Sequence, residues 1–534
     1  MTAPAMLDHT KVLPTELRHI ICELLPHDDQ KHARLVDKAW SSVAGTVLWN
    51  TFTTNLDEGS TIDALLRSDD ILDMIKELDV DGCDHQEGHF CTNTEISCRF
   101  VQLLCALPRN SLRAFTTTLD FDERTVGLIL KTQSQLSKLS FPSTTLHDKL
   151  LTGNLDKLED LTLLPQEADR HADAKCLAFT PVLRRLAIKP KAEDAHNGKP
   201  YSWSMPKLEV LLDLRNIEIH SAFIEEQEDC FGGMTNLSSL ESLLLSNCSD
   251  MPRTVQCLAD EFLKRDKPAL NSVIFRQLSV LGREKPFNTE IEYFLEAVPT
   301  LETLYITTIK AMRPSIGSIC RHGESLRYLH IDHFPNLHEY RGRYTGNVER
   351  YTPQELERLV ASCPHIEALS LNLVDWDLGD YTAYDTFDVH DTGRGLQEDV
   401  KVSDLLPPLT QLRNLRNLRI TYPLFQAQNE EQEETYDYII HRHQLRYQQV
   451  ANVIMEFFAD HESPIELLAF GPGYWPEDTY SSAGFMDMNG HSFPDFSYRR
   501  GILTVARRGG KQVSRALAVP MLEQGQHEDM LFWK

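Results

Sequence analysis

The chain has 534 residues with 41% hydrophobic and 8% aromatic content, too apolar for wholesale disorder and too long for one compact core. Its 53 basic and 79 acidic residues leave a formal charge of −26, which argues against a nucleic-acid or anionic-membrane surface as the main partner. The 11 cysteines form no paired framework and read as thiols of a reducing compartment. Met1 to His9 lack a basic start and an apolar run, and no stretch approaches the roughly 18 uninterrupted apolar residues of a spanning helix. A cytoplasmic and/or nuclear protein without a membrane segment is expected.

Residues 10–54 read as three short helices. Leu13, Leu17, Ile20, Ile21, Leu24 and Leu25 recur as one helix face, with Thr15 or Asp8 as cap and Pro26 as its stop. A second helical run carries Ala33, Val36 and Trp40, and a third leads through Val43 and Val47 to Leu48-Trp49. So small a unit cannot bury all its apolar faces on itself and wants a partner surface.

The string LPTELRHIICELLPHDDQKHARLVDKAWSSVAGTVLW resembles an F-box, the helical motif that docks substrate receptors onto the Skp-family adaptor of cullin–RING ubiquitin ligases. The resemblance rests on Leu13, Pro14, Glu16, Leu17, Ile21 and Leu25, then on Val36, Lys38 and Trp40, and on the closing pair Leu48-Trp49. It implies that these positions serve adaptor binding, that Leu13 and Pro14 meet the adaptor, and that Leu17, Ile21 and Leu25 form the helix seam. Three positions depart from the pattern. Lys31 stands where the family prefers an aliphatic residue, Asp37 replaces a common Cys, and the loop before Leu48 is one residue short.

After residue 60 the chain keeps returning to apolar-x-x-apolar-x-apolar. The copies are Ile75/Leu78/Val80, Leu136/Leu139/Phe141, Leu158/Leu161/Leu163, Leu183/Leu186/Ile188, Leu240/Leu243/Leu245 and Leu270/Val273/Phe275. Leu301/Leu304/Ile306, Leu326/Leu329/Ile331, Ile366/Leu369/Leu371, Leu415/Leu418/Ile420 and Ile465/Leu468/Phe470 continue the series. The bare pattern recurs by chance in so apolar a chain, and context decides. In most copies a charged residue follows the first apolar one: Glu159, Arg184, Glu209, Glu241, Glu302, Arg327, Glu367, Arg416 and Glu466. Helical segments precede several copies. Thr352-Pro353-Gln354-Glu355 reads as a capping box before Leu356, Leu359 and Val360, and Ile291, Phe294, Leu295 and Val298 share one face before Leu301.

A helix, a turn and a short strand thus repeat, and such a unit buries its apolar side only when neighbours stack on it. The chain looks like an irregular leucine-rich-repeat solenoid of the kind found behind F-boxes. The expected fold class is α/β, with parallel short strands backed by helices over 60–470 and a small all-α F-box module before them. A globular α/β domain with leucine-rich strands is the other reading. The solenoid resemblance implies a concave, partner-facing row at Thr303, Tyr305, Tyr328, His330, Asn417 and Arg419, each of which also suits an ordinary solvated strand position.

Insertions interrupt the repeats at 374–400 and 426–445. The first holds eight acids against Arg394 alone, with Trp376, Tyr381, Tyr384 and Phe387 among them, and reads as a solvated loop or as a surface for a basic peptide. Cys83, His85, His89, Cys91 and Cys98 lack the compact pairing that zinc wants, so no metal or other cofactor is expected. Residues 471–534 read as a cap, with Gly509-Gly510-Lys511 turning a hairpin between Ile502–Ala506 and Val513–Val519. Nucleophile elbows, phosphate-cradling loops and paired-His metal motifs are missing from the sequence. These readings converge on a non-catalytic receptor that joins an adaptor and cullin–RING ligase to an unknown protein substrate. A protein-interaction scaffold without a ligase role is the alternative.

Overall fold

The computed structural model describes residues 13–55, 59–81, 94–119, 121, 123–142, 155–165, 176–189, 201–203, 208–224, 231–265, 268–277, 288–309, 313–334, 351–372, 402–421, 436–470, 496–505 and 511–518. The chain divides into two compact units, Met1–Leu214 and Arg215–Lys534. It is a mixed α/β chain in which mostly parallel strands alternate with helices, consistent with a repeat solenoid.

In the first unit, α1 (Thr15–Leu24), α2 (His27–Ala33) and α3 (Lys38–Asn50) precede the first strand. Pro14 and Pro26 hold the N-cap positions of α1 and α2, where no intrahelical N–H is needed. Thr15 is therefore the first helical residue rather than a cap, and Asp8 lies outside the described residues. Asp37 caps α3, its carboxylate accepting from the Ala39 and Trp40 N–H groups at 2.7 and 2.9 Å. Such a cap contributes about 1 kcal/mol, which gives this departure from the F-box pattern a local purpose. Trp40 consequently belongs to α3, and Val36 sits in the turn before it rather than on a helix.

The chain passes from Asn50 straight into β1 (Thr51–Asn55), so the end of the expected helical module is already strand. β2 (Glu77–Asp81), β3 (Ala114–Thr117), β4 (Lys138–Pro142), β5 (Asp160–Leu164) and β6 (Arg185–Ile188) follow side by side, every pair parallel. A short strand, β7 (Tyr201–Trp203), comes after them.

The second unit holds β8 (Asn216–His220), a short β9 (Ala222–Ile224), β10 (Ser242–Ser246), β11 (Ser272–Gln277), β12 (Thr303–Ile309), β13 (Tyr328–Phe334), β14 (Ala368–Asn372), β15 (Asn417–Thr421) and β16 (Leu467–Phe470). Apart from β9, these strands pair in parallel in that order. Helices at Met251–Leu263, Asn288–Ala297, Ile316–Cys320, Pro353–Ser362, Val402–Leu409 and Tyr436–Asp460 alternate with the strands from β10 to β16. The last strands, β17 (Phe496–Val505) and β18 (Lys511–Ala518), form an antiparallel hairpin whose first arm pairs with β16. The hairpin read from the sequence is present, with its first arm beginning earlier than expected.

In all eleven apolar triplets the second and third residues fall on a strand, the first lies two residues before it, and every one of them is buried. Where the second and third triplet residues point, helices pack: Phe275 meets Phe294 edge-on at 5.2 Å, and Phe470 lies 5.4 Å from Tyr447. One backbone device starts most of the parallel strands. The carbonyl of the residue after the first apolar position accepts two successive N–H groups of the next repeat. Glu302 O takes Arg327 N and Tyr328 N at 2.9 and 3.0 Å, and Glu367 O takes Arg416 N and Asn417 N at 2.8 and 3.2 Å. Arg113, Ser137, Glu159, Arg215, Glu241, Asn271, Arg327 and Arg416 do the same. The charged residues noted in the sequence are thus the strand-entry residues.

Their side chains pair across the strands. Arg327 lies 3.5 Å from Glu302 and 3.1 Å from Glu367, while Arg215–Glu241 and Arg416–Glu466 stand at 3.4 and 4.0 Å. Exposed pairs of this kind contribute only about 0.2–1 kcal/mol each, so they fix register more than they stabilise. Glu209 is the exception. The copy that reaches the sheet in this stretch is Leu214/Ile217/Ile219 with Arg215 at strand entry, while Val210 and Leu211 are exposed. The Leu208–Leu212 run had offered a competing frame.

Replacing Leu304 by Ala should cost about 2–5 kcal/mol, read as a lowered urea midpoint, because a fully buried rung leaves a cavity. Ile502→Ala, at a residue 68% exposed, should leave the midpoint within experimental error.

Candidate functional site

The amino-terminal helices carry two faces of opposite character. The inner face is small: Cys22, Ala33, Trp40, Val43 and Ala44 cluster, with Leu13, Leu25 and Val47 packed against them. Arg18 joins this side, its guanidinium 5.9 Å from the Trp40 ring centre, where a cation–π contact is favourable. The outer face is apolar yet open. On α1, Leu17, Ile20, Ile21 and Leu24 share one exposed stripe, Leu24 at 79%, and in the turn after α2 Leu35 and Val36 are 82% and 62% exposed. Six of the twelve exposed large hydrophobics found among the described residues therefore lie between positions 17 and 36.

This corrects the expected seam. Arg18, Cys22 and Leu25 face the other helices, whereas Leu17 and Ile21 point outward. A helix of ten residues has one stripe to bury, and here α3 takes the neighbouring stripe, built from smaller and more polar side chains. Of the residues expected to meet an adaptor, Pro14, Glu16, Leu17, Ile21, Val36 and Lys38 are exposed, and Leu13, Leu25 and Trp49 are half-buried. Trp40 and Leu48 are buried, so they support the unit from within rather than meet a visitor. Ile20, Leu24 and Leu35 were missed as site residues, although each was visible as an apolar side chain on a unit too small to cover it.

The second candidate group lies on the sheet face opposite the helices of the second unit. Register brings all six residues into one patch. Thr303, Tyr328 and Asn417 share a row through Ala368, and Tyr305, His330 and Arg419 share the next row through Ser370. The first row is half-exposed, with the Tyr328 hydroxyl donating to Glu367 at 3.2 Å. The second row is buried, and Arg419 is fully enclosed. Its side chains form a polar stack: Tyr305 and His330 lie face to face at 4.0 Å, and the Arg276 guanidinium sits 4.8 Å over the Tyr305 ring. Thr307 and Asp332 are enclosed beside them.

Tyr305, His330 and Arg419 are therefore not open contacts, contrary to expectation. A parallel sheet is commonly buried on both faces, and alternation along one strand does not reveal this. Burial raises the Tyr305 hydroxyl well above its ordinary range against the opposing charge of Arg276. Burial likewise holds His330 well below the imidazole range, with the charges of Arg419 and Arg276 adding to the effect.

Residues 374–400, the insertion up to 435, and Cys83, His85, His89 and Cys91 lie outside the described residues. Among the described residues there is no cluster of metal-ligating side chains and no helix long and apolar enough to cross a membrane. No family model matches the chain, and no curated protein matches it. A solved protein from Bacteroides fragilis is similar at 13% identity over 48% of this chain and 76% of its own, with a TM-score of 0.30.

A histidine held neutral by the fold contributes stability that is complete above its unfolded pKa of 6.5 and is lost as pH falls below that value. Urea midpoints should therefore drop as pH is lowered from 6.5, and His330→Phe, which keeps a stacked ring without a titrating group, should flatten that slope. His322, pushed down to about 4 by burial, supplies a separate part of the slope that the variant leaves in place.

Proposed function

We propose that this chain is a substrate-receptor subunit of a Skp–cullin–F-box ubiquitin ligase, with α1 to α3 docking on the adaptor and the repeat region holding the target. The observation that carries this reading is the open apolar stripe of α1 at Leu17, Ile20, Ile21 and Leu24, with Leu35 and Val36 also exposed in the turn after α2. Burying such a face returns roughly 25 cal/mol per Å² of apolar surface, so leaving it in water makes physical sense when another protein covers it. The F-box resemblance over the same residues supplies the identity of that protein, a Skp-family adaptor. The target side of the reading draws on the half-exposed row Thr303, Tyr328 and Asn417. Ubiquitin transfer belongs to the conjugating enzyme held elsewhere in such an assembly, and this subunit contributes proximity.

The test uses the outer face, whose residues make little contribution to the folded state. Leu24→Asp with Leu35→Asp should leave the melting temperature unchanged and abolish co-purification of adaptor and cullin from native extract. The Leu13→Ala/Pro14→Ala pair should weaken the same capture. If wild type brings down neither adaptor nor cullin while still capturing other proteins, the chain is a scaffold without a ligase role.

A further inference from the structure

Helix Ile316–Cys320 ends against the last turn of helix Pro353–Ser362 in the next repeat, and the two ends approach unusually closely. A Cβ built on Gly323 would fall 1.9 Å from the Ser362 carbonyl oxygen, a distance no side chain tolerates, so glycine is required there. This approach brings two cysteines together. Cys320 closes the first helix and is half-exposed, and its thiol points at the Arg358 carbonyl at 3.9 Å. Cys363 is the C-cap of the second helix and is fully buried, its N–H donating to Leu359 O at 2.8 Å. Cys363 directly follows Ser362, so both cysteines flank this one crossing of helix ends, with the Cys320 thiol turned toward the last turns of the second helix.

The environment divides the labour between them. The neighbouring Cys363 thiol chiefly lowers Cys320, the Ser362 hydroxyl and the Arg358 charge assist, and burial opposes, leaving Cys320 at about 6. Cys363 moves the other way, raised by the Cys320 thiol beside it and by burial. A half-exposed thiolate beside a buried thiol is the arrangement of an attacking and a resolving cysteine.

We propose that Cys320 is an oxidant-sensitive modification site and that Cys363 resolves it, locking two consecutive repeats by a disulfide. With hydrogen peroxide as oxidant, the Cys320 thiolate attacks one oxygen; an S–O bond forms, the O–O bond breaks, and hydroxide leaves and takes a proton to become water. The Cys363 sulfur then attacks the Cys320 sulfenic sulfur as its own proton departs. An S–S bond forms, the S–O bond breaks, and a second water leaves. Two thiols are oxidised by two electrons in total, and peroxide is reduced to two waters. The bond closes the loop between the two helices, so it restrains the unfolded chain as well as joining the repeats.

The test treats reduced full-length protein with a small excess of hydrogen peroxide, blocks free thiols with N-ethylmaleimide and maps peptides by mass spectrometry. A Cys320–Cys363 crosslinked peptide is expected, together with a melting temperature that rises on oxidation and returns with dithiothreitol. In Cys363→Ser the crosslink should vanish and Cys320 should instead trap dimedone as a sulfenic acid. Without oxidant at pH 7, Cys320 should alkylate severalfold faster than the exposed Cys105, because its larger thiolate fraction outweighs its lower intrinsic nucleophilicity. The proposal falls if wild type yields no crosslink, or if Cys320 reacts no faster than Cys105. Cys363→Ala guards against misfolding, because trapping of dimedone at Cys320 in that variant supports the same conclusion independently of the serine.

Discussion

A single carbonyl that accepts two neighbouring N–H groups from the following repeat is the constraint on which each unit is built. It recurs at Arg113, Ser137 and Glu159 in the first unit and from Arg215 to Arg416 in the second. The paired bonds set where each such strand begins. Once that point is fixed, alternation alone decides which side chains turn toward the helices, since a slip of one residue would exchange the two faces. The apolar triplets follow from this. The first member fills the turn before the strand, and the other two face the helix layer. The charged residue between them is left at the sheet margin, where its side chain pairs with a neighbour of opposite sign, as Arg327 does on both sides.

The opposite sheet face uses different chemistry. Tyr305, His330, Ser370 and Arg419 lie side by side at equivalent positions and are all enclosed, with Arg276 stacked over the first. Buried polar groups are costly unless their neighbours are well arranged, and a flat ring-on-ring stack capped by a guanidinium is one way to arrange them. The consequence is a region of the second unit that depends on neutral histidine. The amino-terminal helices show the reverse economy, with large aliphatic groups left in water and smaller ones, Cys22, Ala33 and Ala44, used for the internal contacts.

Much of the strand framework was legible in the sequence, because the triplet places three burial requirements at fixed spacing and the preceding helix and turn disambiguate it. Reading failed where two frames competed. Around 208–219, Leu208–Leu212 is as apolar as the true strand, and only the partner Glu241 selects Arg215 as the strand-entry residue. The seam of α1 was misread for a related reason. Leu17, Ile21 and Leu25 were assigned to the seam, yet only Leu25 packs inward, Leu17 and Ile21 face outward, and Arg18 beside Trp40 takes part of the inner role. Composition ranks side chains by their wish for cover but does not say which protein supplies it. The six sheet-face residues do share neighbouring rows, but Tyr305, His330 and Arg419 are enclosed, since a strand cannot disclose whether its second face is also covered.

The alternating connections have a further meaning for how such a chain changes over time. Passages from helix to strand are uniformly brief, as from Ser362 to Ala368 or Asp460 to Leu467, whereas passages leaving a strand vary widely, from Ser246 to Met251 at one extreme to Asn372 to Val402 at the other. Because alignment is settled at the point of entry, whatever happens downstream of an exit does not disturb the next rung. One margin of the fold is thus free to lengthen, shorten and drift in sequence while the ladder beside it stays the same, so novelty can accumulate there without endangering the frame.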